Sequence, residues 1–103
     1  MQEFKIFRSE RFNELLLQFP NNFVDRVVKI EEQLKVNPFV GKPLDYKWFR
    51  EKKIGKYRVY YLIYENLSAV YLVVISDKKT QQKIIDQTKL LFAKYKEDIG
   101  KLV

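Results

Sequence analysis

Apolar residues recur along this chain with two different periods, and the changes of period divide it into elements. Near the start, Phe4 and Ile6 alternate with polar residues, which predicts a short strand within residues 2–9. Ser9 suits a helix N-cap, and Pro20 is expected to end the helix that follows. Between them, one helical face carries Phe12, Leu15, Leu16 and Phe19.

A second helical stripe follows directly after Pro20. Its apolar residues recur at helical spacing: Phe23, Val27, Ile30 and Leu34. The helix is expected to end at Asn37, because Pro38 disfavours helical backbone at the residue before it. So short a break between two helices predicts an antiparallel helical hairpin.

The middle of the chain changes to strand patterns. The segment 41–48 contains Gly41 and Pro43 and is predicted to be a loop. Alternation and turn residues then predict three strands, over 48–54, 57–65 and 69–76. Since the third strand is apolar on both of its faces, we expect it to be central and covered on both sides.

Residues 79–99 return to a helical pattern, with Ser76 or Asp77 as a possible cap and Gly100 as a stop. The order is therefore β-α-α-β-β-β-α. This predicts a single α+β domain over residues 1–103, in which an antiparallel sheet packs on an N-terminal helical hairpin.

Composition removes several classes of function. The chain has no Cys and no His, which excludes disulfides, thiolate zinc sites and Ser-His triads. Its three Gly cannot build a phosphate-binding loop of the Walker type. The longest apolar run, residues 69–75, is too short to span a bilayer. We expect a cytoplasmic protein that needs no metal or cofactor.

Charge indicates the kind of partner. The formal net charge is +7, and residues 42–58 hold seven basic residues against Asp45 and Glu51, whereas 13–35 is nearly balanced. Such an excess favours a polyanionic partner, either nucleic acid or an acidic protein.

Arg58 stands out because it lies inside an otherwise apolar strand. One interpretation is a structural ion pair with Glu51 or Asp45; the other is a phosphate site, since arginine suits bidentate phosphate binding. The β-hairpin predicted from strands 48–54 and 57–65 carries three lysines across from or around Arg58: Lys52, Lys53 and Lys56. Two more, Lys78 and Lys79, could extend a positive rim. Most tyrosines are expected in the core, with Trp48 and Phe49 as the better candidates for a partner surface.

Three segments together resemble the RelE/ParE toxin superfamily: "NPFVGKPL", "KKIGKYRVYYLIYE" and "VYLVVISDKK". The resemblance implies the toxin of a type II toxin–antitoxin pair, neutralised by an acidic antitoxin protein. RelE-like members cleave mRNA in the ribosomal A site without a metal, and ParE-like members inhibit DNA gyrase. The resemblance leaves open both a nuclease and a non-catalytic binding module, which is either a ParE-like gyrase inhibitor or a RelE homologue that has lost its activity.

Residue by residue, the RelE pattern places a phosphate-contacting arginine at Arg58 and a basic residue at Lys53. Glu51 stands where relatives are basic, with Lys52 as a possible substitute. The Tyr or His that acts as an acid in many relatives has no match after "ISDKK". Glu51 or Asp45 is then a candidate base, with a lysine as the acid. The expected phosphate-binding residues are Arg50, Lys56, Lys78, Lys79 and Gln82.

Overall fold

The computed structural model describes residues 3–103, so that Gln2, at the start of the predicted first strand, lies outside the described residues. Its helices and strands are β1 (Lys5–Arg8), α1 (Glu10–Leu16), α2 (Asn21–Val36), β2 (Lys42–Leu44), β3 (Tyr46–Ile54), β4 (Tyr57–Tyr64), β5 (Ala69–Asp77), α3 (Gln81–Leu90) and α4 (Phe92–Leu102). The predicted α+β class and the order of the main elements are confirmed. No helix in this part of the chain is long and apolar enough to cross a membrane.

The five strands form one sheet in the order β1-β5-β4-β3-β2. From β2 to β5 every neighbouring pair is antiparallel, as predicted, but the edge strand β1 pairs with β5 in parallel. β1 and β2 lie at opposite edges, so α1 and α2 carry the chain across one face of the sheet. This crossing places the helical hairpin over β4 and β5.

The alternation along β4 places its side chains on two separate cores. Val59, Tyr61 and Ile63 pack with the residues of α1 and α2. Tyr60 and Leu62 pack on the other face, with the buried residues of α3 and α4. Every residue of β5 up to Ser76 is buried, which confirms the prediction of a strand covered on both sides.

The predicted loop over 41–48 is wrong, because β2 and the first residues of β3 occupy most of it. Pro43 lies in β2, where an edge strand tolerates the missing N–H. Asp45 joins the two strands with a positive φ of 68°, a backbone conformation that Asp adopts more readily than most residues. The two turn residues behind the loop prediction therefore do not form the connection: Gly41 precedes β2 and Pro43 lies within it.

The single C-terminal helix predicted over 79–99 is also wrong. The chain breaks at Leu91 into α3 and α4, and Gly100 lies inside α4 instead of stopping it. The sequence pattern does not reveal this break, because buried apolar residues occur both before it, in α3, and after it, in α4. The predicted cap, Ser76 or Asp77, is wrong as well, because the N-cap of α3 is Thr80, which makes no side-chain capping bond. Asp77 Oδ1 instead accepts a hydrogen bond from the Thr80 N–H at 3.0 Å, before the helix begins.

A buried tyrosine anchors the segment between α2 and β2. The Tyr61 hydroxyl donates to the Pro38 carbonyl at 2.7 Å and accepts from the Gly41 N–H at 3.1 Å. Gly41 is needed here, because a Cβ would collide with that hydroxyl and lie 2.7 Å from the Glu51 carbonyl oxygen. Burial raises the pKa of Tyr61 to about 12.

We expect Tyr61→Phe to lower the free energy of unfolding by about 1–3 kcal/mol at neutral pH, because Pro38 and Gly41 lose their buried partner. The raised pKa means that the folded state favours the neutral phenol. Wild type should therefore lose stability above the unfolded pKa of about 10 and up to the folded pKa, by at most about 1.4 kcal/mol per pH unit.

Urea unfolding of both proteins measures this effect across the alkaline range. Lysine titration affects both proteins alike, so it cancels in the difference between their free energies of unfolding. That difference should shrink from pH 10 to 12. A difference that stays constant over that range contradicts the assignment of the titration to Tyr61.

Candidate functional site

A buried ion pair lies where β3 and β4 approach their shared turn. Arg58, on β4, is 6% exposed and Glu51, on β3, is 2% exposed. Arg58 Nε and Glu51 Oε2 are 3.2 Å apart. The predicted structural ion pair with Glu51 is therefore confirmed, and the alternative partner, Asp45, instead pairs with Lys89.

This ion pair is only partly hydrogen-bonded. Gln81, the first residue of α3, donates to Glu51 Oε1 at 2.6 Å, and Arg58 Nη1 donates to the Tyr57 carbonyl at 3.2 Å. The facing atoms, Arg58 Nε and Glu51 Oε2, fall short of hydrogen-bond alignment and have no other partner. Buried polar atoms normally have partners, so two facing atoms without one call for an explanation, of which a functional role is one. We name Glu51, Arg58 and Gln81 the Arg58 cluster.

Two hydroxyl groups lie next to the Arg58 cluster. The Ser76 hydroxyl donates to the Asp77 carbonyl at 3.1 Å, so the Tyr60 hydroxyl is the donor in its 2.7 Å contact with Ser76 Oγ. Burial is the main cause that raises the pKa of Tyr60, and the nearby Glu51 charge raises it further. The Tyr60 phenol therefore stays protonated at neutral pH.

The lysines predicted to surround Arg58 separate onto two sides. Lys53 pairs directly with Arg58 in the β3–β4 register, which places it on the same face, and it is exposed. Lys78 and Lys79 are exposed just beyond β5. We name Lys53, Lys78 and Lys79 the lysine rim.

Lys52 and Lys56 lie on the side of the helical hairpin instead. Lys52 pairs with Val59, which belongs to the core under α1 and α2. Lys56 Nζ lies 5.5 Å from the centre of the Tyr57 ring, and Tyr57 packs on that same core. The structure therefore does not bring these two lysines to Arg58.

Arg50 and Gln82 do not reach the Arg58 cluster either. The Arg50 guanidinium donates to three backbone carbonyls, those of Lys47, Phe39 and Gly41, at 2.7–2.9 Å. Gln82 donates to Asp86 at 3.0 Å on an exposed part of α3. In both cases a local partner already occupies the group that was expected to bind phosphate.

Sequence reasoning missed three contributors: Tyr60, Ser76 and Gln81. Two of them could have been found from the strand pattern. Ser76 pairs with Arg58 in the β4–β5 register, and Tyr60 follows Arg58 on the same face of β4. Gln81 had none, because its contact depends on where α3 begins.

The aromatic residues before the basic cluster also differ from expectation. Phe49 is fully buried, so its assignment to a partner surface is wrong, whereas Trp48 is 38% exposed. Trp48 stacks on Tyr46 with ring centroids 4.7 Å apart, and Phe92 meets both rings edge-on. We name Tyr46, Trp48 and Phe92 the aromatic patch; Trp48 and Phe92 line a hollow of about 430 Å³.

Solved structures that match this fold include toxin–antitoxin proteins. A chain of the RelBE2 toxin–antitoxin complex from Mycobacterium tuberculosis matches with a TM-score of 0.66 and 22% identity, over 76% of this chain and 94% of that one. A chain of the intact E. coli RelBE complex matches with a TM-score of 0.65 and 13% identity, over 72% and 95%. The isolated E. coli RelE toxin gives 0.65 and 11%, over 82% and 98%.

At these identities the structural likeness shows the fold, and no curated protein matches the sequence significantly. The family is shown by the sequence itself. Residues 5–82 match the family model described as ParE toxin of type II toxin-antitoxin system, parDE. Because this match spans more than half of the chain, the chain belongs to the ParE toxin family of type II toxin–antitoxin systems, within the RelE/ParE superfamily.

Proposed function

We propose that this toxin cleaves mRNA on the ribosome without a metal, and that the Arg58 cluster is its reaction site. One observation carries the proposal: a carboxylate and a guanidinium are held buried side by side with facing atoms that lack hydrogen bonds. A buried ion pair is seldom the most stable choice, because apolar residues of the same size often serve as well. Such an arrangement is better explained by a reaction than by stability.

The groups present suit transesterification at an RNA phosphate. Glu51 takes the proton of the 2′-hydroxyl, whose oxygen attacks the phosphorus, and Arg58 stabilises the charge that develops on the phosphate oxygens. The P–O5′ bond breaks, and a lysine of the rim, Lys78 or Lys79, protonates the departing oxygen. Since Arg58 is 6% exposed, the phosphate has to replace part of its contact with Glu51.

The lysine rim suits the approach of the substrate. Lys53 lies directly across from Arg58, and none of the three rim lysines has a carboxylate partner among residues 3–103. Free ammonium groups attract the phosphate backbone, so they raise the local concentration of RNA at the Arg58 cluster.

An acidic antitoxin is the proposed protein partner. The similar M. tuberculosis and E. coli chains come from complexes with an antitoxin. Here the aromatic patch supplies exposed apolar surface, and Lys89 and Lys96 lie beside it. Exposed aromatic residues flanked by cations suit an acidic segment with apolar anchors.

A second candidate is inhibition by binding alone, with DNA gyrase as the target. It is favoured by the near-complete burial of Arg58 and by the absence of Tyr and His from residues 76–82, where many nuclease relatives carry their acid. The two candidates differ in whether RNA is cut.

Expression in growing cells, followed by primer extension on a translated message, tests the nuclease. We expect wild type to arrest growth and to cut within codons, and Arg58→Met combined with Glu51→Met to reduce cleavage by about 10²–10³-fold, because the transition-state charge loses its stabilisation. Arrest without cleavage would favour gyrase inhibition, with gyrase supercoiling as the next assay. An absence of arrest would contradict both candidates and favour a member of the family that has lost its activity.

Two neighbouring lysines give a matched comparison within β3. Lys53→Gln should lower cleavage about tenfold, because it removes the cation opposite Arg58 at a cost of about 1.4 kcal/mol in the barrier. Lys52→Gln changes the same charge on the other face of the sheet and should affect the chemical step less, as measured by single-turnover cleavage on programmed ribosomes. Equal single-turnover losses would count against the assignment of the site to the Arg58 face.

The ion pair also makes a prediction for stability. Arg58→Met or Glu51→Met alone leaves a buried charge without its partner and should cost about 3–5 kcal/mol. The double variant should recover to within about 1 kcal/mol of wild type, because both charges are gone. Urea unfolding of all four proteins measures the coupling, and additive losses would show that the two residues do not interact.

A further inference from the structure

A second positively charged groove lies on the other face of the sheet, between α2 and β3. Its cations are Arg26 and Lys29 from α2 and Lys52 from β3, and the Gln33 amide lies among them. Lys53, whose register places it on the face of Arg58, also borders this groove at the sheet edge. Ile30 and Ile54 are both buried and form its floor. The volume is about 350 Å³. We name this surface the α2 groove.

The fold creates this groove from residues that are far apart in the sequence. Val27, Ile30 and Leu34 are buried, so the residues beside this stripe, Arg26 and Lys29, emerge along the flank of α2. On the other wall, β2 pairs with β3 no further than Glu51, which leaves residues 52–54 as an open edge of the sheet. Lys52 therefore lies beside α2 at an uncovered edge.

The positive charge of the α2 groove is not neutralised. None of its lining residues is acidic, and a neighbouring hollow that shares Arg26 adds Lys56. None of these cations pairs with a carboxylate in the part of the chain that the structure describes. Of the acidic residues of α2, Glu31 pairs with Arg8 and Glu32 with Lys35, whereas Asp25 precedes Arg26 without pairing with any cation of the groove. Cations gathered without ion-pair partners create a positive potential that attracts a polyanion.

We propose that the α2 groove binds the phosphate backbone of RNA, as a second site apart from the Arg58 cluster. RNA fits better than an acidic protein, because protein interfaces need exposed apolar anchors and the isoleucines of this groove are buried. Phosphate contacts need only cations and amides, which this groove supplies.

The path between the two sites supports one RNA strand contacting both. Lys52 and Lys53 are consecutive on β3, so their side chains point to opposite faces of the sheet. Both lysines lie at the open edge of the sheet. An RNA strand that crosses this edge from one face to the other would contact both lysines. This continuity rests on the proposed function, whereas RNA binding in the α2 groove does not.

The slope of log affinity against log salt concentration tests the proposal. A fluorescein-labelled single-stranded RNA is titrated with the full-length protein between about 50 and 200 mM salt, with no ribosome present. In the variant Arg26→Gln, Lys29→Gln, Lys52→Gln we expect the slope to fall by about 2, since each phosphate contact on single strands contributes about 0.7. The charge-matched control is Lys94→Gln, Lys96→Gln, Lys101→Gln on α4.

The control should retain a steeper slope than the groove variant, and both should melt cooperatively. Equal slopes in wild type and the groove variant, or an equal loss in the control, would overturn the proposal. So would an unchanged RNA slope together with lost binding of a poly-glutamate peptide, which would identify the groove as a protein site. If the groove variant loses slope while wild type cuts no mRNA on ribosomes, the groove stands and the nuclease proposal falls.

Discussion

The burial of β4 and β5 on both faces is the constraint on which the rest of this structure depends. The helical hairpin covers one face and the pair α3 and α4 covers the other, so apolar side chains fill both sides of these strands. Polar groups are then tolerated only toward the strand ends, unless they find partners inside. Arg58, near the start of β4, and Ser76, near the end of β5, lie at the same end and pair with each other in register.

That constraint explains the form of the Arg58 cluster. An arginine at the margin of an apolar layer needs a counter-charge, and β3 supplies Glu51 on the same face. Gln81 then closes over Glu51 from the start of α3, which keeps one carboxylate oxygen oriented while the other faces Arg58. The result is a charged pair that is held in place by neighbours yet incompletely hydrogen-bonded. A substrate phosphate can compete for such an arginine more easily than for one with all its donors engaged.

Sequence alone predicted much of this fold, and its failures have physical causes. Alternation and turn residues located the three main strands, and two helical stripes located the hairpin, because burial of one face imposes a period. β2 was not predicted, because a strand of three residues that includes a proline is too short to show an alternating pattern. The break at Leu91 between α3 and α4 was not predicted, because apolar residues continue through it.

The candidate site was harder to predict than the fold. A pair of Arg58 with Glu51 or Asp45 was one of two interpretations, because a buried arginine needs a partner. The assignment of Lys52 and Lys53 to one surface failed because a strand turns consecutive side chains to opposite faces. The position of Lys56 depends on the direction in which its side chain leaves the turn, and the position of Gln81 depends on tertiary packing. Neither could therefore be predicted from a local sequence pattern.

Charge shows most clearly what folding adds to the sequence. Along the chain, residues 13–35 are nearly balanced and most of the excess lies in residues 42–58. In the fold, the glutamates of α2 pair with Arg8 and Lys35, so Arg26 and Lys29 are left to join Lys52 across the open edge of β3. The positive surface therefore continues onto the helical hairpin, and a polyanion that reaches Lys53 finds further cations beyond the sheet edge.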